Sequence, residues 1–256
     1  MITGIDHIVV VVGSLEGAIA NYSKLGFTVV AGGSHAAYGS RNALIAFADG
    51  SYLELIAFEN PTLNHPWVEK LAKGGGLIDF CFQTSDLRAD VDAYRRAGVE
   101  ISDPSPLTRT RPDGYLLKWV LAIPGRDSGT VPFLIEDETP RDERVPKERA
   151  HPNGALGIAA LTVAVEALQR LGTFYSRLLG TPPKEIDLPD LGASGKGFAV
   201  GSNSIELLTP KNTTGPLAEW IRVRGPSPFA ARFKSASKAG SPLDPSLTLG
   251  ARFAFG

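Results

Sequence analysis

Two residues in the N-terminal half have the type and setting for chemistry on a small molecule. His7 opens the apolar run GIDHIVVVV, and Glu54 stands inside YLELI between two leucines. A carboxylate in such a run points into an interior or a cup, because leaving it buried and unpaired is costly. Strand alternation puts Tyr52, Glu54 and Ile56 on one face. If that face meets the start of the first strand, imidazole and carboxylate form a ligand set for a divalent ion such as Mn, Fe, Ni or Zn. The alternative for His7 is a hydrogen-bonded structural residue. A second constellation is RTRPDGYLLKW, with Arg109, Arg111 and Trp119. RPDG reads as a turn, and an extended chain before it places both arginines on one side. Beside an indole they could clamp an anionic or aromatic substrate; the alternative is a solvated strand edge. His65 and His151 each precede a proline, which favours extended or turn backbone. His151 is a candidate substrate contact or an exposed loop residue.

The elements that must position these residues repeat along the chain. GIDHIVVVVGSL from Gly4 aligns without gaps on GLIDFCFQTSDL from Gly76, and a third copy, GIAALTVAVEAL, starts at Gly157. Each opening strand leads into a segment with apolar residues near i, i+3, i+4 and i+7 that ends near a glycine. Ser14 and Asp86 suit the N-caps of the first two. Strands follow: FTVVAGG, NALIAFAD and SYLELIAF in copy one; VEISDP, YLLKWVLAIP and TVPFLIED in copy two; KEIDLP, KGFAVG and NSIELLTP in copy three. A shortened fourth copy runs from SPFAARFKSAS to LGARFAFG, its helix reduced to KAGSPLDPS. The fold class is therefore α+β, built of βαβββ modules whose bare sheet faces pair into cups.

The charged, proline-bearing stretch 136–154 reads as an exposed connector between a domain of modules one and two (1–135) and a domain of module three and the short module four (155–256). The short module leaves a sheet edge, for which a homodimer is the expected cover.

Bulk properties exclude several classes. A net charge of −1 over 256 residues provides no basic field for nucleic acid or an acidic membrane surface. The single cysteine, Cys81, rules out a disulfide framework and a cysteine-rich zinc site, and its place in LIDFCFQT makes it a core residue rather than a nucleophile. With no leader-like start and no apolar run of about 18 residues, a cytoplasmic protein is expected. No dinucleotide fingerprint, phosphate loop, serine elbow or HExxH motif is present.

GIDHIVVVV, LEGAIANYSKLGF, YGSRNALIAFADGSYLELI, RTRPDGYLLKWVLA and HPNGALGIAALTVAV together resemble the vicinal oxygen chelate superfamily, in its glyoxalase-like branch. The resemblance implies metal ligands drawn from the first and last strands of two paired modules. His7 and Glu54 match in module one. Asp79 takes the histidine slot of module two, as a third ligand or a base, but Phe133 takes its glutamate slot. In module three Ala160 replaces the histidine and Glu206 retains the carboxylate, as a substrate contact or as a structural residue common to both halves. The expected function is a metal-assisted lyase, isomerase or dioxygenase acting on a small organic molecule. A metal-free protein that binds or sequesters a drug or metabolite in the same cup is the alternative, and a purely structural module is a third reading.

Overall fold

The computed structural model describes residues 1–35, 39–60, 62–237 and 239–256. Module one consists of β1 (Ile2–Val11), α1 (Leu15–Lys24), β2 (Val30–His35), β3 (Ser40–Ala46) and β4 (Tyr52–Phe58), followed by α2 (Pro66–Ala72). Module two has β5 (Gly76–Thr84), α3 (Leu87–Arg96), β6 (Ser105–Thr110), β7 (Leu116–Ala122) and β8 (Phe133–Asp137), and the link after it carries α4 (Arg141–Arg144). Module three has β9 (Ala155–Ala164), α5 (Leu168–Leu179), β10 (Lys184–Leu188), β11 (Ala193–Val200), β12 (Asn203–Pro210) and α6 (Pro216–Arg224); β13 (Ser227–Ser235) and β14 (Phe253–Phe255) are the remnant of module four.

Local signals account for the helices. Ser14 Oγ accepts from Gly17 N–H at 3.1 Å and Asp86 Oδ1 from Ala89 N–H at 3.0 Å, so both expected caps satisfy first-turn donors. The β4–α2 segment recurs as β12–α6.

Modules one and two close a barrel in the order β1-β4-β3-β2-β6-β7-β8-β5, while the second half is an open sheet in the order β10-β11-β12-β9-β13-β14. Alternation along β1 sorts its side chains. Ile8, Val10 and Val12 join an outer core with Leu161, Val163 and Phe233 of the second half, whereas Val9 and Val11 join Cys81, Trp119 and Phe133 inside the barrel. One hydrophobic cluster thus fastens the two halves together.

Two expectations change. The strand expected at VEISDP is only a single bridge, Ile101 to Pro124, and the strand lies at β6 instead. The Arg111–Gly114 turn closes with Gly114 N–H on Arg111 O at 2.9 Å, so β7 pairs with the residues immediately before that turn, Thr110 opposite Leu116. The link 136–154 is not simply exposed either: Arg144, Val145, His151 and Asn153 are all buried in it. The physical reason is electrostatic as well as apolar, because α4 feeds its guanidinium groups to a buried carboxylate near the start of β1.

Candidate functional site

The barrel interior holds a cavity of about 230 Å³ lined by His7, Glu54, Asp79, Arg109 and Trp119 among others. That is small against the usual range for drug-sized ligands. His7 reaches it through a bulge. In the β1–β5 ladder Ile5 faces Phe82 and His7 faces Cys81, so Asp6 is the extra residue that re-aims its neighbours. As a result Asp6 and His7, adjacent in sequence, contact each other: His7 Nδ1 lies 2.7 Å from Asp6 Oδ1.

Asp6 is fully buried. Burial alone would push its carboxyl up, but the guanidinium of Arg144, the hydrogen bond from His7 and the guanidinium of Arg141 outweigh it and hold the group well below the usual carboxylate range. Arg144 Nη1 and Nη2 each donate at 3.0 Å to Asp6, and Arg141 donates to it as well. An ionised Asp6 can only accept, so His7 Nδ1 carries a proton, and Nε2 is the ring nitrogen left facing the cavity. The ring is fixed by Tyr52 stacked on it at 4.5 Å and by Phe133 edge-on at 5.3 Å.

Nε2 faces Glu54 Oε2 at 3.6 Å. This is too long for a direct hydrogen bond. Asn42 Nδ2 donates to Glu54 Oε1 at 2.6 Å, leaving Oε2 as the outward oxygen. Asn42 gains its position from a glycine: a Cβ on Gly32 would lie 2.0 Å from Asn42 Oδ1. Two metal bonds of about 2.1 Å can span the gap between Nε2 and Oε2, so these two donors fit a divalent ion.

Asp79 lines another part of the cavity. Trp67 Nε1 and Ser128 Oγ donate to its Oδ2 at 3.0 and 2.9 Å, and Phe80 N–H to Oδ1 at 2.9 Å. Burial pushes this carboxyl up despite those donors. Among the described residues, the group of three His, Cys or carboxylate ligand atoms lying within 4.8 Å of one another is Asp6, His7 and Cys81. That trio suits a metal poorly, because two guanidinium groups already neutralise Asp6 and burial pushes the Cys81 thiol well up. Asp79 does not enter such a group with His7 and Glu54.

The remaining candidates separate. Arg109, on β6, is buried and lines the cavity together with Trp119. Arg111 lies past the strand end, where it pairs with Asp113 and with Glu143 Oε2 at 2.6 Å, so the two arginines part company. His151 lies away from the cavity. Its Nδ1 accepts from Thr28 N–H at 3.0 Å, and Nε2 lies 2.9 Å from Ala46 O, which joins the link to module one. Glu206 lies in the second sheet, accepting from Arg232 Nη2 at 2.6 Å and from Thr162 Oγ1 at 2.9 Å. Arg232 stands opposite Ala160 as Cys81 stands opposite His7, so a cation occupies this neighbourhood in the second half.

Sequence reasoning passed over Asp6, Asn42, Trp67 and Arg144. The Asp-His dipeptide itself was the signal for Asp6; nothing local marks the others.

Paired βαβββ modules closed around a cavity, with a histidine on the first strand and a glutamate on the fourth, define the vicinal oxygen chelate fold. The chain belongs to the glyoxalase-like domain family, whose model matches residues 5–179. Among solved structures, a hypothetical protein from Staphylococcus aureus superposes with a TM-score of 0.70 at 16% identity, covering 98% of each chain. A mutant of 4-hydroxymandelate synthase from Streptomyces coelicolor superposes with a TM-score of 0.65 at 17% identity, over 91% of this chain and 71% of that one. A fusion of a xylose isomerase-like TIM barrel with 4-hydroxyphenylpyruvate dioxygenase gives a TM-score of 0.56 at 16% identity, over 91% of this chain and 36% of that one. These likenesses establish the fold. No curated protein matches the chain. Among the described residues no helix is long and apolar enough to cross a membrane.

Proposed function

We propose that the barrel cavity is the active site of a metal-assisted lyase, isomerase or dioxygenase acting on a small organic molecule. The observation that carries this reading is a pair of ligand-type atoms, His7 Nε2 and Glu54 Oε2, facing each other at 3.6 Å. Two lone-pair donors held at that separation invite a cation. A bound divalent ion supplies Lewis-acid stabilisation of negative charge developing on a substrate oxygen. The protein's own residues do the rest. Asp6 holds His7 in the tautomer that exposes Nε2, Asn42 holds Glu54 by its other oxygen, and Trp119 and Phe133 exclude water from the chamber. Asp79, which lines the cavity and has its carboxyl pushed up by burial, is the proposed proton carrier.

Metal content by plasma mass spectrometry tests the reading, on untagged wild type, His7→Ala and Glu54→Ala after incubation with Mn, Fe, Ni or Zn. Near-stoichiometric metal in the wild type, lost in both variants, is expected. A wild type that holds none of the four ions sinks it.

One observation favours a second reading, a metal-free binding protein. Phe133 occupies the slot where a fourth ligand is implied and lies edge-on to His7, which makes this side of the cavity apolar. Ligand binding by metal-free wild type, unchanged on adding the four ions, supports that reading over the first.

A further inference from the structure

Arg109 is the charged group in the barrel whose surroundings do not account for it. Arg144, buried to a similar depth, has Asp6 and Asp137 as carboxylate partners. Arg109 is 4% exposed and makes no ion pair among the described residues. Its Nη2 donates to the Arg144 carbonyl at 3.0 Å, its Nη1 to Asn42 Oδ1 at 3.4 Å, and its Nε, fully buried, has no acceptor among the described residues. The nearest functional carboxylate, Glu54, is instead held by Asn42. Burying a guanidinium without a counter-charge is expensive, and so is leaving a buried N–H unpaired. The group nevertheless lines the cavity, as do Asn42, Glu54 and the aromatic Trp67, Trp119 and Phe133.

We infer that Arg109 is the docking point for a carboxylate on the ligand, and that the cavity takes a small organic acid with an apolar or aromatic body. The planar guanidinium matches a carboxylate in shape, and a ligand carboxylate supplies the direct ion pair that Arg109 lacks among the described residues. Trp119, Trp67 and Phe133 receive the body, and a ligand anchored on Arg109 lies next to the His7–Glu54 pair through Asn42, which touches both Glu54 and Arg109. Arg111 takes no part, because Asp113 and Glu143 already satisfy it. This inference rests on the cavity being the ligand site but not on a metal being there.

The test is isothermal titration of wild type and Arg109→Gln with matched pairs of probes, phenylacetate against phenylacetamide and hexanoate against hexanamide. In the wild type at least one acid binds about 30-fold or more tighter than its amide, the scale set by removing one partner of a buried charge pair. In Arg109→Gln the ratio falls to near one. A second measurement needs no variant: in nitrogen-15-labelled wild type, the arginine Nε–H resonance that is absent from an Arg109→Lys spectrum shifts with phenylacetate and stays put with phenylacetamide. Equal affinity for acid and amide in the wild type, or an acid preference that survives in Arg109→Gln, overturns the inference. Metal content of the same preparations separates the two readings. Stoichiometric metal without acid preference defeats only the carboxylate inference, and acid preference without metal defeats only the metal-assisted reading.

Discussion

Arg144→Ala removes the main counter-charge of a carboxylate that water cannot reach. Arg144 is 3% exposed and Asp6 0%. The side chain makes two contacts of 3.0 Å to Asp6, one of 2.7 Å to Tyr52 Oη and one of 2.9 Å to Asp137 Oδ2. Breaking a buried pair by deleting one partner costs about 3–5 kcal/mol. Arg141 remains on Asp6 but is partly exposed, so the expected loss is near the lower end, about 3 kcal/mol. For a chain of this length that corresponds to a fall in Tm of roughly 6–12 °C. The loss depends on pH in a defined direction. Asp6 titrates below its unfolded value in the wild type, so its contribution is fully present above about pH 4 and is lost as pH falls through the folded value. The stability gap between wild type and Arg144→Ala is therefore widest near neutrality and narrows as pH falls below about 4. Urea unfolding at several pH values from 7 down to about 2 measures it. A gap below 1 kcal/mol at pH 7, or one that stays constant across the series, would show that Asp6 does not need the guanidinium.

Three further outcomes are expected. His151→Ala leaves the Thr28 N–H without its acceptor and removes the contact to Ala46 O, costing about 1–3 kcal/mol by urea unfolding; ligand affinity should not change, and a selective loss of affinity would return His151 to the site. Glu206→Gln loosens a pair in which Arg232 is substantially exposed, so its cost stays within about 1 kcal/mol and the metal content remains that of the wild type. Cys81, buried and with its thiol pushed well up by burial, should react with Ellman's reagent only under denaturing conditions; rapid native-state labelling would contradict its place in the core.

The modular plan was legible in the chain because it rests on local rules. Strands such as IVVVV and LIDFCF carry their own period, Ser14 and Asp86 cap the turns that follow them, and glycines mark where helices end. His7 and Glu54 could be assigned to one cup for the same reason: register within a module is short-range, and β1 and β4 are parallel neighbours with His7 opposite Tyr52. The strand wrongly expected at VEISDP shows where that reasoning weakens. Its pairing was decided by the Arg111–Gly114 turn on its far side, not by its own apolar residues.

What only the tertiary structure decided depends on residues far apart in the chain. Asp6 and Arg144 are separated by 138 positions, and no local pattern announces that a segment rich in charge and proline will bury one guanidinium against β1. Composition marks such a segment as solvated; a matching buried carboxylate overrides it. Arg109 and Arg111 are two positions apart and identical in kind, yet one lines the cavity without an ion pair among the described residues and the other is neutralised outside it. Charge alone does not distinguish them. The end of β6 at Thr110 does, because it fixes which of the two side chains the closed barrel encloses.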